Sequence, residues 1–159
     1  MSATGAKTRP HRTFDASLEL KDAGVVGASA AAEVDAAAKV IDVGTGLFEG
    51  EVIVDVSAIE IATNDEVYHI FVEGASEVAM DTTLVPLAQL QLGALEVMGP
   101  GSSHFKVDSS TGRYVIPFRN ERDGVYSRYI RLYTVVAGTI ATGGGINYTA
   151  YAAKKAAGV

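Results

Sequence analysis

Cysteine and tryptophan are absent from this chain of 159 residues, and proline occurs only four times. Without cysteine there is no disulfide, no thiolate metal site and no cysteine nucleophile, so packing and strand pairing alone must hold the fold, as suits a protein made in a reducing cytoplasm. The three histidines, His11, His69 and His104, lack the close spacing that metal-binding histidines commonly show. No uncharged apolar run approaches the ~18 residues of a membrane helix, and the opening "MSATGAKTRPHRTFD" has no secretory apolar core. The sequence therefore reads as soluble and unexported. A net charge of −6 argues against general nucleic-acid binding.

What is present is an apolar content of 48%, enough for one substantial core. Three parts are expected: an extended basic arm over residues 1–16, a domain over 17–153 and a short tail over 154–159. The charge is unevenly spread. Met1 to Arg12 carries Lys7, Arg9 and Arg12 with no acid, +3; Thr13 to Glu96 has sixteen acids against two lysines, −14; Val97 to Val159 has eight bases and three acids, +5. This asymmetry can steer association with a complementary surface or a second copy. Alternatively, the segments interleave in one sandwich and neutralise each other locally.

Period-two alternation recurs from Ser17 onward. In "EVIVDVSAIEI", Val52, Val54 and Val56 share a face, and Ile59 and Ile61 continue on the opposite phase, which predicts a bulge near Ser57 and Ala58. In "EVYHIFVEG", Tyr68, Ile70 and Val72 alternate with Val67, His69 and Phe71, predicting a central strand covered on both faces. "LVPLAQLQLG" sets Ala88, Leu90 and Leu92 against Gln89 and Gln91, with Pro86 demoting its early part to an edge or a strand entry. "FKVDSSTGRYVIPF" reads as a hairpin around Gly112 that turns Tyr114, Ile116 and Phe118 inward. In "RYIRLYTVVAGTIATGGGINYTAYA", Ile130, Leu132 and Val136 face the core while Tyr129, Arg131 and Tyr133 point outward, and Gly143 to Gly145 permit the chain to reverse. With "SLEL" and "KVIDVG" the total is roughly eight strands, an all-β, antiparallel two-sheet sandwich of jelly-roll type. "GASAAAEVDAAAK" has the highest helix propensity in the chain. Its apolar positions are nearly all alanine and bury little area, so a bent or irregular crossing is expected instead.

Catalytic patterns are sparse. Asp42, Asp55 and Asp65 could supply a carboxylate pair but lie in a generally acidic region and read as solvated. The glycine clusters at Gly44 to Gly46 and Gly143 to Gly145 lack the lysine and following helix of a phosphate loop. "NYT" at Asn147 matches a glycosylation sequon inside a predicted strand.

Together, "DAGVVGASAAAEVDAAAKVIDVG", the long "GEVIVDVSAIEI" strand and the closing "RYIRLYTVVAGT…GGGINYTAYA" resemble the small jelly-roll cement, or decoration, proteins of tailed bacteriophage capsids. The likeness spans Leu18 to about Ala152, and "VIDVG" (Val40 to Gly44) with "RYIRLYTVVAG" (Arg128 to Gly138) carry most of it. The basic arm before Phe14 and the insert "MGPGSSHFKVDSSTGRY" depart from the pattern. The resemblance implies a structural virion protein with no enzymatic activity, cofactor or metal, made in the host bacterial cytoplasm and bound to the outside of the assembled shell. Its partners would be the major capsid protein and itself, as a homotrimer at three-fold and quasi-three-fold positions where it bridges capsomers, with no nucleic acid and no membrane. The interface candidates are Tyr129, Arg131 and Tyr133 on the outward strand face and Lys7, Arg9 and Arg12 in the arm, the latter attaching to an acidic groove on the shell or a neighbouring subunit. Two alternatives stand beside it: a head-completion or tail component, and a carbohydrate-binding sandwich stacking sugars on Tyr126, Tyr129, Tyr133, Tyr148 and Tyr151.

Overall fold

A computed structural model describes residues 16–98 and 107–154. A 3-10 turn at Ala16–Leu18 leads into short strands: β1 (Glu19–Lys21), β2 (Val25–Val26), β3 (Ala30–Ala31), β4 (Glu33–Val34), β5 (Ala37–Ala38) and β6 (Ile41–Asp42). Longer strands follow, β7 (Glu49–Ile59), β8 (Val67–Ala75) and β9 (Val85–Gly93), and then a single helical turn, α1 (Leu95–Met98). The chain continues through β10 (Gly112–Arg119), β11 (Glu121–Arg122), β12 (Val125–Tyr126), β13 (Tyr129–Ala137) and β14 (Ile146–Lys154).

The strands form an all-β, sandwich-like arrangement of two antiparallel sheets. One runs β1-β14-β7-β10 with β2 also on β14; the other runs β3-β13-β8-β9 with β6 also on β13. Two small hairpins, β4–β5 and β11–β12, stand outside them. Alternation decides which side chains meet between the sheets. Val52, Val54 and Val56 of β7, Tyr148, Ala150 and Ala152 of β14 and Ile116 of β10 face Tyr68, Ile70 and Val72 of β8 and Ile130 and Leu132 of β13 in one core. Two tyrosines carry hydroxyls into this apolar layer, and both are satisfied across it. The Tyr148 and Thr134 hydroxyls lie 2.6 Å apart, joining β14 to β13, and the Tyr68 hydroxyl donates to the Glu60 carbonyl at 3.0 Å. Burial pushes the phenol of Tyr148 up to about 12.

The predicted bulge is present at Ser57: Tyr148 pairs with Val56 and Asn147 with Ala58, leaving one residue of β7 over. β9 is an edge strand, as Pro86 implied, and its register shifts beside that proline. The alanine-rich segment forms β3, β4 and β5 and no helix. Asp35 and Ala36, both at positive φ (54° and 61°), make the two-residue connection between β4 and β5, a turn whose twist matches the flanking strands.

Two expectations are corrected. Among the described residues, 107–111 form no strand, and β10 pairs along its whole length with β7, so these residues are not the first arm of a hairpin with it. β8 lies inside its sheet, but only one of its faces is covered: Val67, His69, Phe71 and Glu73 remain partly exposed. The glycine-rich segment carries the reversal from β13 to β14, strands of opposite sheets.

Candidate interaction surface

Burial of Ile130, Leu132 and Thr134 fixes the phase of β13, so Tyr129, Arg131, Tyr133 and Val135 point out of the sandwich. Register then aligns them with β8: Arg131 with Glu73, Tyr133 with Phe71 and Val135 with His69, while Gln89 and Gln91 of β9 complete the rows. The His69 and Phe71 rings stack, with centroids 5.9 Å apart and planes 14° from parallel. The face combines aromatic area with amides, a composition enriched in recognition surfaces.

Its arginine is already engaged. Arg131 Nε donates to Glu73 Oε2 at 2.8 Å, and the two side chains are only 19% and 14% exposed; the guanidinium also lies 5.6 Å from the Tyr133 ring centroid. Beside it, Arg128 holds Asp42 at 2.8 Å and covers the ring of Tyr129. Tyr129, Arg131 and Tyr133 therefore share one braced face, with the rings as its half-exposed part. Lys7, Arg9 and Arg12 lie outside the described residues, as do His11 and His104.

The uneven charge along the chain resolves into cross-strand pairs. Arg113 meets Asp55 at 2.7 Å and Arg119 meets Glu49 at 3.1 Å, each with its register partner, as Arg131 does with Glu73. Four arginines of the basic segment thus neutralise four acids of the acidic one, which is the local interleaving weighed above. Hydrogen bonds from Arg128 and from Arg113 hold the carboxyls of Asp42 and Asp55 below the ordinary range. Asp65 accepts from the Thr63 and Thr139 hydroxyls and the Thr139 amide. The three aspartates have separate partners and form no pair. Among the described residues no group of three or more His, Asp or Glu could hold a metal ion, and no helix is long and apolar enough to cross a membrane.

The tyrosines do not make one platform. Tyr148 is fully buried, Tyr129 and Tyr133 lie on the β13 face, Tyr151 on the outer side of the other sheet and Tyr126 on β12 of the small β11–β12 hairpin. Asn147, of the sequon-like triplet, uses its side-chain oxygen to accept from the Gly24 amide at 3.0 Å.

A second surface escaped the sequence reading. The loops β6–β7, β8–β9 and the β11–β12 hairpin lie at one end of the sandwich, the first and last of them tied together by Asn120. Its Oδ1 accepts from the Phe48 amide at 2.7 Å, and its Nδ2 donates to the carbonyls of Gly46 and Ser127, both at 2.9 Å. Arg122 adds a bond to the Pro86 carbonyl at 2.6 Å. Between the loops is a cleft of about 440 Å³ with an apolar lining of Leu84, Val85, Val125 and Tyr126. Val125 and Tyr126 are 66% and 49% exposed. The Glu77 carboxylate organises one wall, accepting from the hydroxyls of Thr83, Ser76 and Thr82 and from two amides. These bonds, led by that from Thr83, hold its carboxyl far below the usual range, so it stays charged. Asn120 in "FRNERDG" resembles an ordinary turn residue; its knot depends on loops distant in sequence.

No family model matches the chain, and no curated protein matches it.

Proposed function

We propose that the protein is a non-enzymatic structural virion protein, a jelly-roll decoration or cement protein that binds the outside of an assembled phage shell and bridges its capsomers. One observation carries the reading: the two strings on which the resemblance chiefly rests are hydrogen-bonded neighbours. Ile41 and Asp42 of "VIDVG" pair with Ile130 and Tyr129 of "RYIRLYTVVAG", and the Val43 amide donates to the Arg128 carbonyl at 2.8 Å. Strings that are 84 residues apart in sequence, from Gly44 to Arg128, thus build one sheet edge. Strand order supports the jelly roll as well. If β1 with β2 counts as the first strand and β3 to β6 as the second, the sheets run 1-8-3-6 and 2-7-4-5, with every consecutive pair except 4 and 5 crossing between sheets.

Such a body needs adhesion and rigidity more than reactive groups. The half-exposed rings of Tyr129 and Tyr133, braced by Arg131 and Glu73, are the self-association face in this reading, with the homotrimer as its product. The sugar-binding alternative loses support because its five tyrosines are dispersed. The test adds purified protein to preassembled shells that lack it. The expected result is outer-surface density at three-fold and quasi-three-fold positions, unchanged shell size and greater resistance to heat and osmotic shock. Failure to bind, or shells that cannot form without the protein, overturns the reading. Light scattering tests the trimer separately: a monomer at all micromolar concentrations, and also on the shell, overturns it.

A further inference from the structure

We infer that the loop-end cleft is the seat of the chain's own basic arm, Met1 to Asp15, from the same copy or a neighbouring one. This inference does not depend on a role in a virion. Three observations converge on it, the first being where the described chain begins. Glu19 of β1 pairs antiparallel with Tyr151 of β14, which pairs with Ile53 of β7, so the chain before β1 enters from the end that carries Lys154 and Gly50. That is the end of the sandwich on which the β6–β7 and β11–β12 loops sit.

Reach is the second. Three strand spacings of about 4.8 Å, one sheet separation of about 10 Å and about 10 Å along the strands put the cleft roughly 20 Å from the start of β1. Six extended residues, 10–15, span about 20 Å. This brings "TRPHR", Thr8 to Arg12, to the cleft, while leaving Phe14 too close to β1 to fill it.

Charge is the third. The segments flanking the cleft, residues 76–85 with Glu77 and Asp81 and residues 120–127 with Glu121, Arg122 and Asp123, carry a net −3 against the +3 of Met1 to Arg12; of these, Arg122 and Asp123 line the cleft itself, 3.9 Å apart. Proline in an extended segment seats well on an aromatic, apolar floor, because its backbone is already restricted. Pro10 would rest on Tyr126 and Val125, with Arg9 and Arg12 directed at Asp81 and Asp123.

Because the chain has no cysteine, a Thr8→Cys/Val125→Cys variant gives a clean cross-linking pair, tested on the free, full-length protein with a short bis-maleimide. The control pairs Thr8→Cys with Thr149→Cys on the other sheet. The expected outcome is a cross-link with Val125→Cys alone, its yield falling several-fold at high salt and with Asp81→Asn/Asp123→Asn. A product of monomer mass assigns the arm to its own copy and one of dimer mass to a neighbour; both support the inference. Deleting Ser2 to Arg12 should also shift the amide resonances of Leu84, Val125 and Tyr126 and leave those of β14 in place. Equal cross-linking to both sites, or cleft resonances that ignore the deletion, overturns it. Cleft resonances that follow protein concentration in the deleted protein would identify a second copy's body as the occupant, and would overturn it too.

Discussion

Replacing Tyr148 with phenylalanine removes one oxygen from the middle of the core and tests how the two sheets are locked together. Tyr148 is fully buried, Thr134 is 1% exposed, and their hydroxyls meet at 2.6 Å between β14 and β13. Folding gains only about 0.5–1.5 kcal/mol net from such a bond, but a buried hydroxyl left without its partner costs about 1–3 kcal/mol. Tyr148→Phe should therefore destabilise by about 1–3 kcal/mol, and Thr134→Val, which keeps the side chain's shape, by a similar amount. The double variant removes both hydroxyls and strands neither, so it should lie within about 1 kcal/mol of the parent. Urea unfolding followed by circular dichroism measures all four proteins, with each kcal/mol moving the thermal midpoint by roughly 2–4 °C at this size. A double variant as unstable as the sum of the singles would refute the strut.

The same residue gives a pH signature. Its folded-state pKa is raised to about 12 from the ordinary 10.0. The neutral phenol is thus favoured by folding, and this contribution is fully present below about pH 10 and lost as pH rises toward 12. Subtracting the profile of Tyr148→Phe isolates it from the other tyrosines; identical alkaline profiles would show that Tyr148 does not supply the step.

Glu73→Ala should cost about 1–3 kcal/mol in equilibrium unfolding, because it leaves the mostly covered Arg131 without its carboxylate; Asp55→Ala, whose partner Arg113 is well exposed, should cost a small fraction of that. Ala36→Gly should stabilise by about 0.5–1 kcal/mol, read as a higher urea midpoint, since Ala36 holds a φ of 61° in the β4–β5 turn. Gly138→Ala should destabilise by at least about 2 kcal/mol, because Gly138 has a φ of +95° and an added Cβ would collide with the Asp65 carbonyl; an unchanged thermal midpoint would count against that packing.

Features with a local cause were legible in the sequence. The switch of phase between Val56 and Ile59 announced the bulge at Ser57 because a strand has only two faces. Pro86 announced an edge because proline lacks the amide that an interior strand must donate. The alanines of residues 28–38 announced their lack of a helix by how little area they could bury. What depended on distant pairing was not legible. Gly112 looked like a hairpin turn, yet β10 finds its partner in β7, before two intervening long strands. Arg113, Arg119, Arg128 and Arg131 were visible only as an excess of charge, since matching each to its acid requires the register. The outward side of β8 looked covered because Val67, His69 and Phe71 are large, whereas they cover one another only in part. For the interaction surface, alternation fixed the direction of Tyr129, Arg131 and Tyr133 but not the carboxylate bracing them. Leu84, Val125 and Tyr126 drew no notice because each alone is an ordinary exposed side chain.

The order of the strands also governs when the molecule can become itself during synthesis. β14 is inserted between β1 and β7, and β13 between β3 and β8, so one inner position of each sheet is filled by the last two strands made. At about 5–20 residues per second, β8 waits roughly 3 to 11 s after Ala75 for Tyr129 to be added. Until then it is an unzipped seam of bare amides and carbonyls beside Ile70 and Val72. A nascent chain of this kind stays exposed to strand exchange with its neighbours on the polysome and then closes late, in one cooperative event dominated by long-range pairing.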